Sequence, residues 1–168
     1  MQGSVRRRTF ADNRVKRIRN LMKASVLFKI AAVLWVFWGL VHILAGVLTM
    51  NFILSGDIAA SISGIADAVN PDNLQADYPA AAGAVIGQHG FNLFWAGITT
   101  FISAFFVWKG NKNAIFLAAI VGGLADLGYF LFIDLGGYVH FLPGTLMTIF
   151  SYSAIILSFY AHFKLRKA

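Results

Sequence analysis

Residues 14–54 read RVKRIRNLMKASVLFKIAAVLWVFWGLVHILAGVLTMNFIL. The stretch opens with five basic side chains in ten residues, Arg14, Lys16, Arg17, Arg19 and Lys23. It then runs from Ile30 to Leu54, 25 residues, without an Asp, Lys or Arg. A membrane-crossing helix needs about 20 such residues. The apolar core of a secretory signal spans only about 7–15. The stretch is therefore read as a retained first span with a basic flank.

Working outward, the same pattern recurs three times. Ala80 to Trp108 is 29 residues without Asp, Lys or Arg, long enough to tilt or to rise above the bilayer core. Two further apolar stretches follow. The spans are placed at about 28–50, 82–108, 114–133 and 144–163, joined by an outer loop at about 51–81. The other links are the Lys109-Gly110-Asn111-Lys112-Asn113 turn and the segment Asp134 to Leu142. The expected fold is an all-α membrane protein, a four-transmembrane-helix up-down bundle. Its parts are a basic segment 1–27, the bundle 28–163 and a basic tail 164–168.

All fourteen Lys and Arg residues lie before span one, between spans two and three, or after span four. The two remaining links carry none. Basic residues stay on the cytoplasmic side. Both termini are therefore expected in the cytoplasm, with two loops outside, in a bacterial-type inner (plasma) membrane. This bias also argues against dual-topology transporters. No internal repeat supports an inverted-repeat transporter.

Composition agrees, with 58% hydrophobic and 12% charged residues. In a soluble protein a net charge of +7 would suggest nucleic acid. Here the charges flank spans, so the partner is the lipid bilayer and nucleic acid is set aside. Cysteine is absent, which excludes disulfides, thiolate metal sites and four-span thiol oxidoreductases. All seven acidic residues are Asp. Asp57, Asp67, Asp72, Asp77 and Asp134 fall outside, Asp12 inside and Asp126 within the membrane.

Before span one, Val15, Ile18, Met22 and Val26 recur at helical spacing beside Lys16, Arg17, Arg19 and Lys23. That is an amphipathic helix for the anionic leaflet, a topology signal, or a docking arm for a partner subunit. In the outer loop, Ile58, Ile62, Ile65 and Val69 share a helical face, with Asp57, Ser61 and Asp67 around the other. A short interfacial helix is expected there, ended by Asn70-Pro71-Asp72.

Asp126 is the most informative side chain, because a carboxylate within a span costs several kcal/mol. Counting inward from the outer ends at about 1.5 Å per residue puts Asp126, His42 and His89 at one level. Around them, Trp35, Trp38 and His42 align on span one, and His89, Asn92, Ala96, Thr99 and Ser103 on span two. Gly122, Asp126 and Tyr129 align on span three, and Thr145, Thr148 and Tyr152 on span four. The candidate binding residues are His42, His89, Asp126, Asn92, Trp38 and Tyr129.

Three chemistries suit this set. His42, His89 and Asp126 have the donor types of a Zn or Fe site with open positions. His42 and His89 could ligate haem, though the outer side lacks cations for the propionates. A His/Asp pair could instead hold the polar head of a quinone or lipid, with Trp and Phe along its tail. A purely structural alternative treats the Ser, Thr and Asn side chains as interhelical hydrogen-bonding groups. The chain is then an accessory subunit of a larger membrane complex. Gly83 and Gly87 form a GxxxG packing or homo-oligomer signal. No HExxH, phosphate-binding Gly loop or serine nucleophile elbow is present.

Overall fold

The computed structural model describes residues 2–63, 65 and 77–165, with side chains of the first helix from Asp12 onward. Among the described residues there is no β-strand element. Four helices are long and apolar enough to cross a membrane, an architecture consistent with a multi-pass membrane protein.

Helix α1 spans Gln2–Leu54, α2 Ile58–Ser63, α3 Ala80–Trp108, α4 Lys112–Tyr129 and α5 Leu146–Tyr160. Wider, π-type turns extend α4 over Phe130–Asp134 and α5 over Ala161–Leu165. A third, Phe141–Thr145, leads into α5 and is kinked at Leu142 (φ −111°, ψ 130°). The basic segment and the first span are thus one uninterrupted helix of 53 residues, about 80 Å long. An apolar crossing uses less than half of that length.

Each short link has a local cause. Gly110, at φ 69°, adopts the left-handed conformation that reverses the chain after α3. Asn111 then caps α4, its side chain accepting from the Ala114 N–H at 3.2 Å. Asp57 does the same for α2, accepting from the Ala60 N–H at 2.8 Å. The expected loop helix is present over Ile58–Ser63. Its continuation through Asp67 and Val69, and the Asn70-Pro71-Asp72 turn, lie outside the described residues.

The helices form a ring in which α1 and α4 each pack on both α3 and α5. The α1–α3 contact is the most extensive, and glycines make it. A Cβ on Gly39 would fall 2.9 Å from the Gly97 carbonyl oxygen, and one on Gly46 2.6 Å from that of Gly90. Gly39 and Gly46 are seven residues apart, as are Gly90 and Gly97, so two bare patches meet in antiparallel register. Gly83 and Gly87 face the side chains of Ile58 and Ile53 instead.

The half of the ring toward the α3–α4 turn, called the inner half for its position in the sequence-based topology, is solid. Ala24, Phe28, Ala32, Trp35, Val107, Ile115, Ala118 and Ala161 belong to one buried cluster. Gly122 leaves room for the Trp35 ring, which a Cβ there would overlap. Lipid chains are as apolar as these side chains, so close fit rather than water exclusion holds them together.

Candidate functional site

The solid core ends at Asp126. This residue is 2% exposed, and its carboxyl joins three helices. Trp38 Nε1 on α1 donates to Oδ2 at 2.7 Å. His42 Nε2, one turn further along α1, lies 3.8 Å from Oδ1. Ser151 on α5 stands beside the same carboxyl, while its hydroxyl donates to the Thr148 carbonyl at 3.0 Å. One hydroxyl proton serves one of those acceptors at a time.

The two α1 residues hold each other. The His42 ring stacks on Trp38 with centroids 3.6 Å apart, and His42 Nδ1 lies 2.8 Å from the Trp38 carbonyl oxygen. Spacing of four residues on a helix allows both contacts. Trp35 braces Trp38 from below, edge to face at 5.8 Å.

Above this floor is a cavity of about 1010 Å³. His42, Asp126, Asn92, Tyr129 and His89 line it, and most of the remaining wall is apolar. The Tyr129 hydroxyl is buried and has no hydrogen-bond partner. Asn92 uses its oxygen to accept from Trp95 Nε1 at 3.1 Å.

Of the six residues singled out in the sequence, the structure brings Trp38, His42 and Asp126 into contact. Asn92, Tyr129 and His89 stand on the cavity wall. Trp38 lies beneath the wall rather than in it. His89 is not level with the others. The Gly39–Gly97 and Gly46–Gly90 pairs set a register in which His42 is opposite Phe94 and His89 opposite Val47. His89 is therefore five residues, about 7.5 Å, nearer the outer end. Counting from an assumed helix start near Ala82 missed this, because the first turns of α3 stand beyond Met50, the α1 end used for His42: in this register Met50 is opposite Ile86, and the inner end of α3 is the better fixed. There Lys29 Nζ sits 5.4 Å over the Trp108 ring.

The offset has a chemical consequence. Among the described residues no three His, Cys, Asp or Glu side chains are grouped to hold a metal ion. The His42–His89–Asp126 metal set does not assemble.

Hydroxyl groups expected to bond between helices bond within them. Thr100 donates to the Ala96 carbonyl at 3.0 Å, Thr99 to that of Trp95 at 2.8 Å, and Ser158 to that of Ala154 at 2.7 Å. Beyond the Asp126 contacts, Thr145 reaches across the outer link to Asp134 at 2.6 Å. Ser151 was passed over in favour of Thr148 and Tyr152, although it too lies near that face of α5. Leu44 and Trp95 were also missed as cavity residues. Both line the space yet are 59% and 44% exposed. Phe132 lines it too and is 77% exposed, so the wall reaches the surface both at the level of His42 and nearer the outer end.

No protein-family model, curated protein sequence or solved structure matches the chain.

Proposed function

We propose that this multi-pass membrane protein binds a lipophilic molecule with a polar head, quinone or lipid-like, in the outer half of its bundle. His42 and Asp126 would meet the head, with Tyr129, Asn92 and His89 nearby, and the apolar wall would take the tail. The lysine and arginine distribution supports an orientation with both termini cytoplasmic and the cavity toward the outer face, in a plasma membrane of bacterial type.

The observation that carries this reading is the position of Leu44 and Trp95. Leu44 is two residues from His42, and Trp95 is one residue from the α3 position opposite it. An opening between these two side chains would lie at the depth of the polar floor, part-way along the spans, where the surrounding medium is lipid. A ligand using it would arrive from the membrane. Volume points the same way: about 1010 Å³ is at the upper end of the range for small-molecule sites, which are mostly apolar with a few placed polar groups.

Organic extraction of the protein purified in mild detergent, followed by mass spectrometry, tests the proposal. A near-stoichiometric lipophilic species is expected from the parent protein, and a clearly lower yield from folded Ala45→Leu/Ala96→Leu/Ala125→Leu, in which three wall positions grow into the cavity. Equal recovery from both proteins defeats the assignment to this cavity.

A second reading, as an accessory subunit of a larger complex, rests on a different observation. Val15, Ile18, Met22 and Val26 are exposed on the part of α1 that runs past the Lys29–Trp108 level. Native electrophoresis of membranes carrying Ile18→Asp/Met22→Asp would show a smaller species if that stripe holds a partner. Unchanged migration removes this reading.

A further inference from the structure

The floor of the cavity has an unmet requirement that specifies the ligand's head more narrowly. The Trp38 carbonyl can only accept a hydrogen bond, so His42 Nδ1, 2.8 Å away, carries the ring proton. In the neutral ring, Nε2 is then a bare acceptor. It faces Asp126 Oδ1 across 3.8 Å, too far for a direct bond whichever of the two carries a proton, and with the carboxylate ionised both atoms are acceptors. Direct hydrogen bonds end near 3.2 Å. A ring protonated at both nitrogens would close on the carboxylate to about 2.8 Å, and this pair stands a full ångström wider. Trp38 Nε1 already serves the other carboxylate oxygen. Two acceptors thus border the same gap at the bottom of an apolar cavity, which is costly unless a donor lies between them. On the same cavity wall, the Tyr129 hydroxyl is a buried donor with no partner among the described residues. Among the described residues no Lys or Arg lines the space.

We infer that the site selects lipophilic molecules whose head donates hydrogen bonds, through a hydroxyl or an amine N–H, and discriminates against ether, carbonyl-only and phosphate heads. This rests on the lipophilic-pocket reading and narrows it, keeping a quinol or an amino or hydroxyl lipid and setting aside the oxidised quinone and phospholipids. An amine can donate to His42 Nε2 and Asp126 Oδ1 together. A hydroxyl can donate to one and accept from Tyr129. A phosphate would bring negative charge against the carboxylate with no cation to offset it.

Binding to the full chain in phosphatidylcholine nanodiscs tests this, read by tryptophan quenching or equilibrium dialysis. The probes are decylresorcinol, its dimethyl ether and dodecylamine. At least one of the two donor-bearing probes should bind about tenfold or more tighter than the ether, the size of one lost hydrogen bond to a buried charged group. Which one binds distinguishes a phenolic from an amino head. Asp126→Asn retains an oxygen for Trp38 and supplies its own N–H to the gap, so the preference should shrink to about twofold or less. His42→Phe keeps a ring to stack on Trp38 and removes Nε2, and should also reduce the preference, which covers a misfolded Asn variant. Saturable binding of all three probes with equal affinity overturns the inference and leaves the lipophilic pocket standing. A preference unchanged in a folded variant overturns its assignment to this gap. No saturable binding of any probe overturns both.

Discussion

Ala118 and Ala125 lie two turns apart on one face of α4, and they border different worlds. Ala118 is fully buried in a cluster with Phe28, Trp35, Val107 and Ile115. Ala125 borders the cavity, across from Ala45 and Ala96. The inner half sets large side chains against small ones, so the layers interlock. The outer half sets alanine around alanine and turns Leu44 outward. A bundle with one ring of four helices can therefore be a solid anchor at one end and a vessel at the other. The Trp38–Asp126–His42 contacts mark the boundary.

The same substitution at the two alanines should break or sharpen that contrast most strongly. Ala118→Leu adds three carbons where no space exists and should cost about 3 kcal/mol, the upper end for overpacking. Ala125→Leu grows into the cavity and should change stability by less than about 0.5 kcal/mol while leaving less room for bound lipophile. Detergent-solubilised thermal melting with ligand extraction reads both. Equal destabilisation would mean that the outer half is packed like the inner.

A glycine pair repeats the comparison at smaller scale. Gly122→Ala would drive a methyl into the Trp35 ring and should cost about 2 kcal/mol. A Cβ at Gly128 meets nothing within 4 Å. Gly128→Ala should raise stability by about 0.5–1 kcal/mol through lost chain entropy. A neutral Gly122→Ala in the same melting assay would show that Trp35 is free to move and the inner core is loose.

At the boundary itself, Trp38→Phe keeps a ring under His42 and deletes the 2.7 Å donor to Asp126. The expected loss is about 1.5 kcal/mol, that of a hydrogen bond to a charged acceptor. Trp38→Tyr extends a hydroxyl that cannot reproduce the indole geometry and should recover little of it. Full stability in Trp38→Phe would mean that the carboxyl is held by Ser151 alone.

The four long helices and the importance of Asp126 were legible because each depends on one strong local signal. Long charge-free runs report spans, and a lone carboxylate within one reports a buried polar contact. His42 could be paired with Asp126 by counting, since both lie eight residues from an outer span end. What counting could not reach was register between helices. The Gly39–Gly97 and Gly46–Gly90 approach displaces His89 by about 7.5 Å, and no composition or periodicity within one helix encodes that. The GxxxG at Gly83 and Gly87 packs on Ile58 and Ile53, whereas the tight α1–α3 seam uses a spacing of seven. The fates of the threonine and serine hydroxyls were hidden for another reason. Each can satisfy itself on its own helix backbone, and only the packed bundle decides whether it does.

The smallest effect on stability tests where the vessel opens. Leu44→Trp enlarges a side chain that is 59% exposed at the rim and leaves the polar floor untouched. Its melting midpoint should stay within about 0.5 kcal/mol of the parent, as for most exposed substitutions. Exchange of a bound fluorescent lipophile between nanodiscs should nevertheless slow several-fold, because the opening is narrowed on the side facing lipid. Affinity at equilibrium should change less than the exchange rate, since a portal residue affects binding and release together. If the rate is unchanged while Phe132→Trp or Met147→Trp, near the outer end of the same cavity, slows exchange, access runs from the outer surface. The ligand would then be one that crosses water, and the lipid route inferred from Leu44 and Trp95 fails.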